Sequence, residues 1–456
     1  MFRRVFALLG PILLLASSVA LADPGVDPAT VSASLDPGAS LTVTKTVHTP
    51  TIPPRPDVLF LADTTGSMGP SITNVRTNAA TIMSTVAAAP GVGDARFGAA
   101  EYKDGDPNFC PTDPFAYRLD QAITANTAGV LTGMNMWVTG FDGCVNLPES
   151  QINALYTLAT SGATGFRPLG TSTRIVAWFG DSSGHDPSLG HTEADATAAL
   201  VAAKIRVIAV NVISGFGDGL DLTGQATRIA NATGGTFLTA ASAADVSNAI
   251  LSGLQNLPVV VTHSVGPCDP NLTVTLSPTS MTVTSGTDAT FTETITVAAG
   301  APQGTTLVCT VQFLIDGNVV EGFTESITIG VNDVTAPRAT CEPTTNPSGA
   351  NIPAAGTNPK SGQNPDGFYV LGATDNVDPS AQLFVTDSAS SFVAGPYASG
   401  TRIKLIQAPG ATPNVKPGHG AIDWIITLNG DAIVTAVDAS GNVSAPSSCK
   451  VPPPPK

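Results

Sequence analysis

Three stretches, 58–62, 175–179 and 205–213, are nearly unbroken runs of apolar residues. Strands read this way when a sheet is covered on both faces, so the pattern excludes a sheet with one wet side over this part of the chain. Between the first two runs, Ile72, Val75, Ala79, Ile82 and Val86 recur at spacings of three and four, which predicts an amphipathic helix. Pro70 stands just inside its start, where a missing N–H costs nothing. Further on, Thr192 and Asp195 have the spacing of a capping box and open a second helical stretch, 192–203. Strands alternating with helices predict a doubly wound, mostly parallel sheet over 56–257. Only 12% of residues are charged, and Gly (45) and Pro (37) are plentiful, which argues against a coiled coil or helical bundle.

From 258 to about 334 the period changes to two. Segments 272–276, 289–297, 307–315 and 324–331 alternate Thr with apolar residues between turn signals such as Ser285-Gly286 and Asp316-Gly317. This is the pattern of an antiparallel β-sandwich, and 31–49 shares it. The later block alone is small for a sandwich, so 23–55 and 258–334 are expected to form one sandwich into which 56–257 is inserted. Residues 335–450 open and close with a cysteine and read as a C-terminal β-rich domain, followed by a proline-rich tail, 451–456. The Asp438 to Asn442 stretch has the look of a calcium loop but reads better as a tight turn of residues that tolerate left-handed conformations. The expected fold class is therefore α/β plus all-β.

Residues 1–22 have the form of a secretory signal peptide: Arg3 and Arg4, an apolar stretch, then Ala20-Leu21-Ala22. No later segment reaches the ~18 apolar residues of a membrane span, so an exported, soluble chain (periplasmic or extracellular) is expected. The six cysteines fall in three consecutive pairs, each within one region. The expected disulfides are Cys110–Cys144, Cys268–Cys309 and Cys341–Cys449. The net charge of −15 leaves no basic stripe for nucleic acid and suits a cation better.

Chemistry is concentrated in Asp63-Thr64-Thr65-Gly66-Ser67-Met68, directly after the first apolar run and before the first helix. In open parallel sheets ligands bind beyond the carboxyl ends of the strands. Asp63, Thr65 and Ser67 alternate, so a curving turn aims one carboxylate and two hydroxyls at a point. Such hard oxygen donors suit Mg²⁺, Ca²⁺ or Mn²⁺. Asp181 follows the run 175–179 and is expected on the same rim; Glu149, at the start of another helical run, is expected to face Asp63.

These residues resemble a von Willebrand factor A (VWA) domain. Asp63, Thr65 and Ser67 match that family's metal-ion-dependent adhesion motif, Asp181 in Phe179-Gly180-Asp181 its aspartate after the central strand, and Thr233-Gly234-Gly235-Thr236-Phe237 its C-terminal signature. Asn146-Leu147-Pro148-Glu149 is most similar to the integrin β-subunit form, in which the glutamate is a metal ligand; Thr171 and Thr173 are alternative donors, since many A domains use a threonine. That form also places its A domain inside a β-sandwich. Met68-Gly69-Pro70 departs from it, lacking the adjacent aspartate pair of a regulatory calcium site. Asp142 and Asn146 are candidates for another flanking ion site.

The resemblance implies an adhesion protein whose divalent cation, most readily Mg²⁺, coordinates an acidic residue of a protein partner. The loop 103–118 is expected to border the site; Asp104 and Asp106 in it read as exposed loop acids in preference to metal ligands. Two other functions compete with this one: a structural surface or matrix component, and a metal-dependent hydrolase using His185, Asp186 and His191. The latter three read better as the loop entering the helix at Thr192. No G-x-S-x-G elbow or phosphate-binding Gly-rich loop with Lys occurs, so no enzymatic activity is expected.

Overall fold

The computed structural model describes residues 23–107, 109–140, 148–344 and 367–450. The molecule combines a mixed α/β part with β-rich parts. In the former, six strands lie side by side in the order Tyr117–Thr124, Arg96–Tyr102, Pro56–Asp63, Thr173–Gly180, Ile205–Val212 and Thr236–Ala240. All neighbours are parallel except the edge strand Tyr117–Thr124.

Every residue of Pro56–Asp63 is buried, and alternate residues supply two different cores. Val58, Phe60 and Ala62 meet the helices Gly69–Ala88, Thr127–Met134 and Val246–Gln255 on one face. Leu59 and Leu61 meet the helices Gln151–Thr160, Glu193–Ala202 and Gln225–Ala232 on the other. This double covering is why the run has no polar alternation. Helix Gly69–Ala88 turns Ile72, Val75, Ala79, Ile82 and Val86 inward, each large aliphatic side chain contributing about 1.5–3 kcal/mol by burial. Helix Glu193–Ala202 begins with the capping box of Thr192 and Asp195. At the opposite end of the central strand from Asp63, the buried Asp57 accepts hydrogen bonds from Arg167 Nε and from the Arg167 and Ser172 groups N–H and Oγ, each at 2.8 Å.

Two further sheets are built from segments on both sides of this α/β part. In one, Ser40–His48 runs antiparallel to Asp288–Val297; in the other, Thr30–Leu35 runs parallel to Asn318–Val331. Their apolar faces meet in a shared core that includes Val47, Phe291, Ile295, Phe313, Phe323 and Ile327. The chain's exit from the α/β part is tied back to its entrance: Gly286 N–H donates to Pro50 O at 2.9 Å and Ser285 N–H to Leu257 O at 2.8 Å. Arg206 of the α/β part also forms a two-pronged ion pair with Asp316, both bonds 2.7 Å. Three charged side chains point into the sandwich core. Lys45, Glu293 and Glu325 are all fully buried, with Lys45 Nζ against Glu325, 3.6 Å from Glu293 Oε2 and donating to Pro28 O at 2.8 Å.

Residues 338–344 and 367–449 hold two more sheets, of five and four strands, around Leu371, Leu383, Val385, Leu405, Ile426 and Val434. Cys268 is bonded to Cys309 and Cys341 to Cys449. Cys110 is also disulfide-bonded; Cys144 lies outside the described residues, as do the expected leader 1–22 and tail 451–456. Among the described residues, no helix is long and apolar enough to cross a membrane.

Candidate functional site

Parallel pairing brings the carboxyl ends of Pro56–Asp63 and Thr173–Gly180 to one rim of the sheet, which places Asp63 beside the turn that begins at Asp181. Asp63 Oδ1 accepts the Thr65 N–H at 3.0 Å and the Thr65 hydroxyl at 2.7 Å, so the turn folds back over its own first residue. The Ser67 hydroxyl donates to Asp181 Oδ1 at 3.0 Å and joins the two turns. Glu149 sits just before helix Gln151–Thr160, held by backbone bonds to the segment after Asp181: its N–H donates to Ser183 O (2.8 Å) and its O accepts the His185 N–H (2.9 Å). The rim is closely packed. A Cβ on Gly180 would lie 2.3 Å from the Tyr102 hydroxyl, and one on Gly217 would lie 2.0 Å from Asp181 O.

One oxygen of each acid is left over. Asp63 Oδ2, Glu149 Oε2 and Asp181 Oδ2 are buried and have no hydrogen-bond partner. A buried ionised carboxylate without a partner is costly, and such groups either take a proton or meet a cation. Burial, with Asp181 beside it, pushes the Asp63 carboxyl up to about 7. Burial, with Asp63, Asp104, Asp113 and Asp181 around it, pushes Glu149 up to about 10. Burial, with Asp63, Glu149 and Asp181 nearby, raises the Tyr102 phenol. Lys103 opposes this for Asp63 while donating its Nζ proton to Thr64 O at 2.7 Å. The donor set is oxygen only, and its orphaned oxygens fit a hard divalent cation.

The alternative donors Thr171 and Thr173 stand elsewhere. Thr173 opens its strand opposite Pro56, with its hydroxyl on Pro54 O at 3.2 Å, so it lies at the far end of the sheet from Asp63. Thr171 is in the turn just before it, bonded to Pro168 O. Asp104 and Asp106 are not exposed loop acids: they are 3% and 1% exposed. Asp104 Oδ1 lies 3.1 Å from His185 Nε2 and accepts the Ser150 hydroxyl at 3.3 Å, while Asp106 accepts the Leu189 N–H at 3.1 Å. The loop after Tyr102 is thus folded down against the segments after Glu149 and Asp181, and it brings further negative charge to Glu149. Spacing alone carries no signal for this, because the partners lie 46 and 83 positions away. His185 stacks on Phe109 and His191 on Tyr156, both with ring centroids 3.7 Å apart, and Asp186 accepts the Glu193 N–H at the start of the helix. Asp142 and Asn146 lie outside the described residues.

No family model and no curated protein matches the chain. Among solved structures it is similar to proximal thread matrix protein 1 from the mussel byssus. One crystal form gives a TM-score of 0.34 and 19% identity over 46% of this chain and 49% of that one. A second form gives 0.32 and 16%, over 46% and 50%. The chain therefore matches about half the length of that protein, and a likeness of this size carries no inference about function.

Proposed function

We propose that this is an exported binding or adhesion protein with a VWA-type domain over 56–257, holding a divalent cation on Asp63, Thr65, Ser67, Glu149 and Asp181. Mg²⁺ is the first choice and Ca²⁺ or Mn²⁺ the alternatives. The observation that carries the reading is the set of three buried, unpartnered carboxylate oxygens, Asp63 Oδ2, Glu149 Oε2 and Asp181 Oδ2, on turns at one end of a parallel sheet. The cation would supply an electrophilic centre for an acidic side chain of a protein partner. The chain's own residues do the positioning. Thr65 fixes one oxygen of Asp63, Ser67 fixes one of Asp181, and the backbone bonds to Ser183 and His185 fix Glu149.

Two exposed aromatic side chains stand beside groups that pack against these turns: Phe216, 82% exposed, precedes the glycine that packs on Asp181, and Phe109 is stacked on His185. Exposed aromatic side chains are the usual anchors of protein recognition, and these are the surface proposed to select the partner. Neither nucleic acid nor a membrane is part of this reading, and no enzymatic activity is proposed.

The test is calorimetric titration of Mg²⁺, Ca²⁺ and Mn²⁺ into EDTA-stripped protein beside the Asp63→Ala variant. Saturable binding that the variant loses supports the reading. Equal binding by both proteins overturns it.

A further inference from the structure

We infer that Asp333, Asp375 and Asp438 form a separate Ca²⁺ site at the junction between the β-sandwich and the C-terminal β domain. Asp333 lies in the connector between strands Asn318–Val331 and Arg338–Pro343. Asp375 directly follows Phe368–Thr374, and Asp438 directly follows Ala432–Val437. Each of the three offers a carboxylate oxygen, and these oxygens lie within 4.8 Å of one another.

An acidic cluster on a wet surface needs no ion, but this one is enclosed. Asp333 is only 9% exposed, and its Oδ2 is buried without a hydrogen-bond partner, as is Asp375 Oδ1. The other oxygens hold the local backbone. Asp333 Oδ1 accepts the Thr335 N–H at 3.1 Å. Asp375 Oδ2 accepts the N–H groups of Val377 and Asp378 at 2.8 and 2.9 Å. Asp438 takes the Asn442 N–H at 2.8 Å and its side-chain amide at 2.9 Å. Three turns are thereby shaped around one point, two of them with a free oxygen. Among the described residues no Lys or Arg forms an ion pair with any of the three acids. Three carboxylates this close repel one another strongly in a shielded place, and a divalent cation removes that penalty.

All the donors are oxygen, which selects a hard cation. They come from a connector and two turns of a neighbouring unit, an arrangement that meets Ca²⁺ with its long bonds and irregular shell more readily than the strict octahedron of Mg²⁺. The place also suggests what the ion does. Gln303 Oε1 accepts the N–H groups of Val334 and Thr335 at 2.9 and 3.2 Å, which fixes the connector to the sandwich. Asn442 Nδ2 donates to Asp333 O at 3.0 Å, which fixes the same connector to the C-terminal domain. Gly304 comes so close to Val377 that a Cβ there would lie 2.5 Å from Cγ1. An ion on the three aspartates would lock the two units in one orientation.

The test uses the full chain carrying Asp63→Ala, so that an ion at the other site does not mask the result. Ca²⁺ titrated into this protein after EDTA treatment is expected to bind at one site per chain, and limited proteolysis of the connector 332–337 is expected to slow. Adding Asp375→Asn keeps an amide oxygen for the two turn N–H bonds while removing a charge; it is expected to weaken Ca²⁺ binding by at least about tenfold. Adding Asp333→Asn as well is expected to abolish binding and the protection from proteolysis. Absence of Ca²⁺ binding in the Asp63→Ala protein, or unchanged affinity in its Asp375→Asn derivative, would overturn the assignment.

Discussion

The Ser67 hydroxyl lies 3.0 Å from Asp181 Oδ1, a bond between residues 114 positions apart. It joins the turns that follow two adjacent parallel strands, and it leaves the second oxygen of Asp181 buried and unpartnered. If the purpose of this bond is to aim Asp181 at a cation, Ser67→Ala removes both a donor and an alignment. Ion affinity is expected to fall by about ten- to a hundredfold, the range seen when groups that orient metal ligands are lost. Global stability should change by only about 1 kcal/mol. Calorimetry and urea denaturation check the two parts, and a large stability loss with unchanged affinity would contradict the assignment.

The metal-free rim should make stability fall with rising pH. Asp63 is pushed up to about 7 from 3.8 and Glu149 up to about 10 from 4.5. Between the ordinary and raised values the folded state binds more protons than the unfolded state, so each unit of pH costs stability across that window. EDTA-treated protein is expected to melt lower at about pH 8 than at about pH 5.5, with a shallower dependence in Asp63→Asn. Saturating Mg²⁺ favours the ionised carboxylates, so its stabilising effect is expected to be larger at the higher pH. Thermal melts of both proteins at the two pH values check this; equal slopes would contradict it.

Asp57 offers a control at the other end of the same strand. It lies about 20 Å from the rim, at ~3.3 Å per residue. It is the buried partner of Arg167. Asp57→Ala leaves Arg167 only the more exposed Asp94 as a carboxylate partner, orphans the buried Arg167 N–H and Ser172 hydroxyl, and is expected to destabilise by about 3–5 kcal/mol. Where the variant is folded, its ion affinity should match the parent. Chemical denaturation and calorimetry at low denaturant separate the two effects.

The sandwich core makes a similar prediction. Lys45→Met leaves Glu293 and Glu325 buried together without a cation, and about 3–5 kcal/mol of stability should be lost near neutral pH. Burial, with Glu325 beside it, already pushes Glu293 up to about 7. The loss should therefore shrink on acidification, when protonation removes the repulsion. Replacing all three residues by apolar ones should recover most of it. Urea unfolding of the single and triple variants is the measurement, and a triple variant as weak as Lys45→Met would contradict the account.

What was legible in the chain is what local pattern dictates. The run 58–62 falls within Pro56–Asp63 because a strand covered twice must be continuously apolar, and the oxygen-bearing turn then has nowhere to go but the strand's end. Helix Gly69–Ala88 buries the residues its spacing marks. Thr173, named as an alternative donor, could have been set aside on the same ground: as the first residue of a strand whose far end is Gly180, it belongs at the opposite edge from Asp181. Lys45, Glu293 and Glu325 could also be found, since each shares its period-two face with buried apolar residues, Val47, Ile295 and Ile327 among them. The burial of Asp104 and Asp106, and the convergence of Asp333, Asp375 and Asp438, were not. They depend on how loops fold across the molecule, for which no periodicity or cap in the segment itself provides a signal.

Anomalous diffraction from crystals grown with Mn²⁺ tests the central claim most directly. The account predicts a peak within coordinating distance of Asp63, Ser67 and Asp181, absent from Asp63→Ala crystals. Mn²⁺-saturated crystals with no peak at that rim would contradict it.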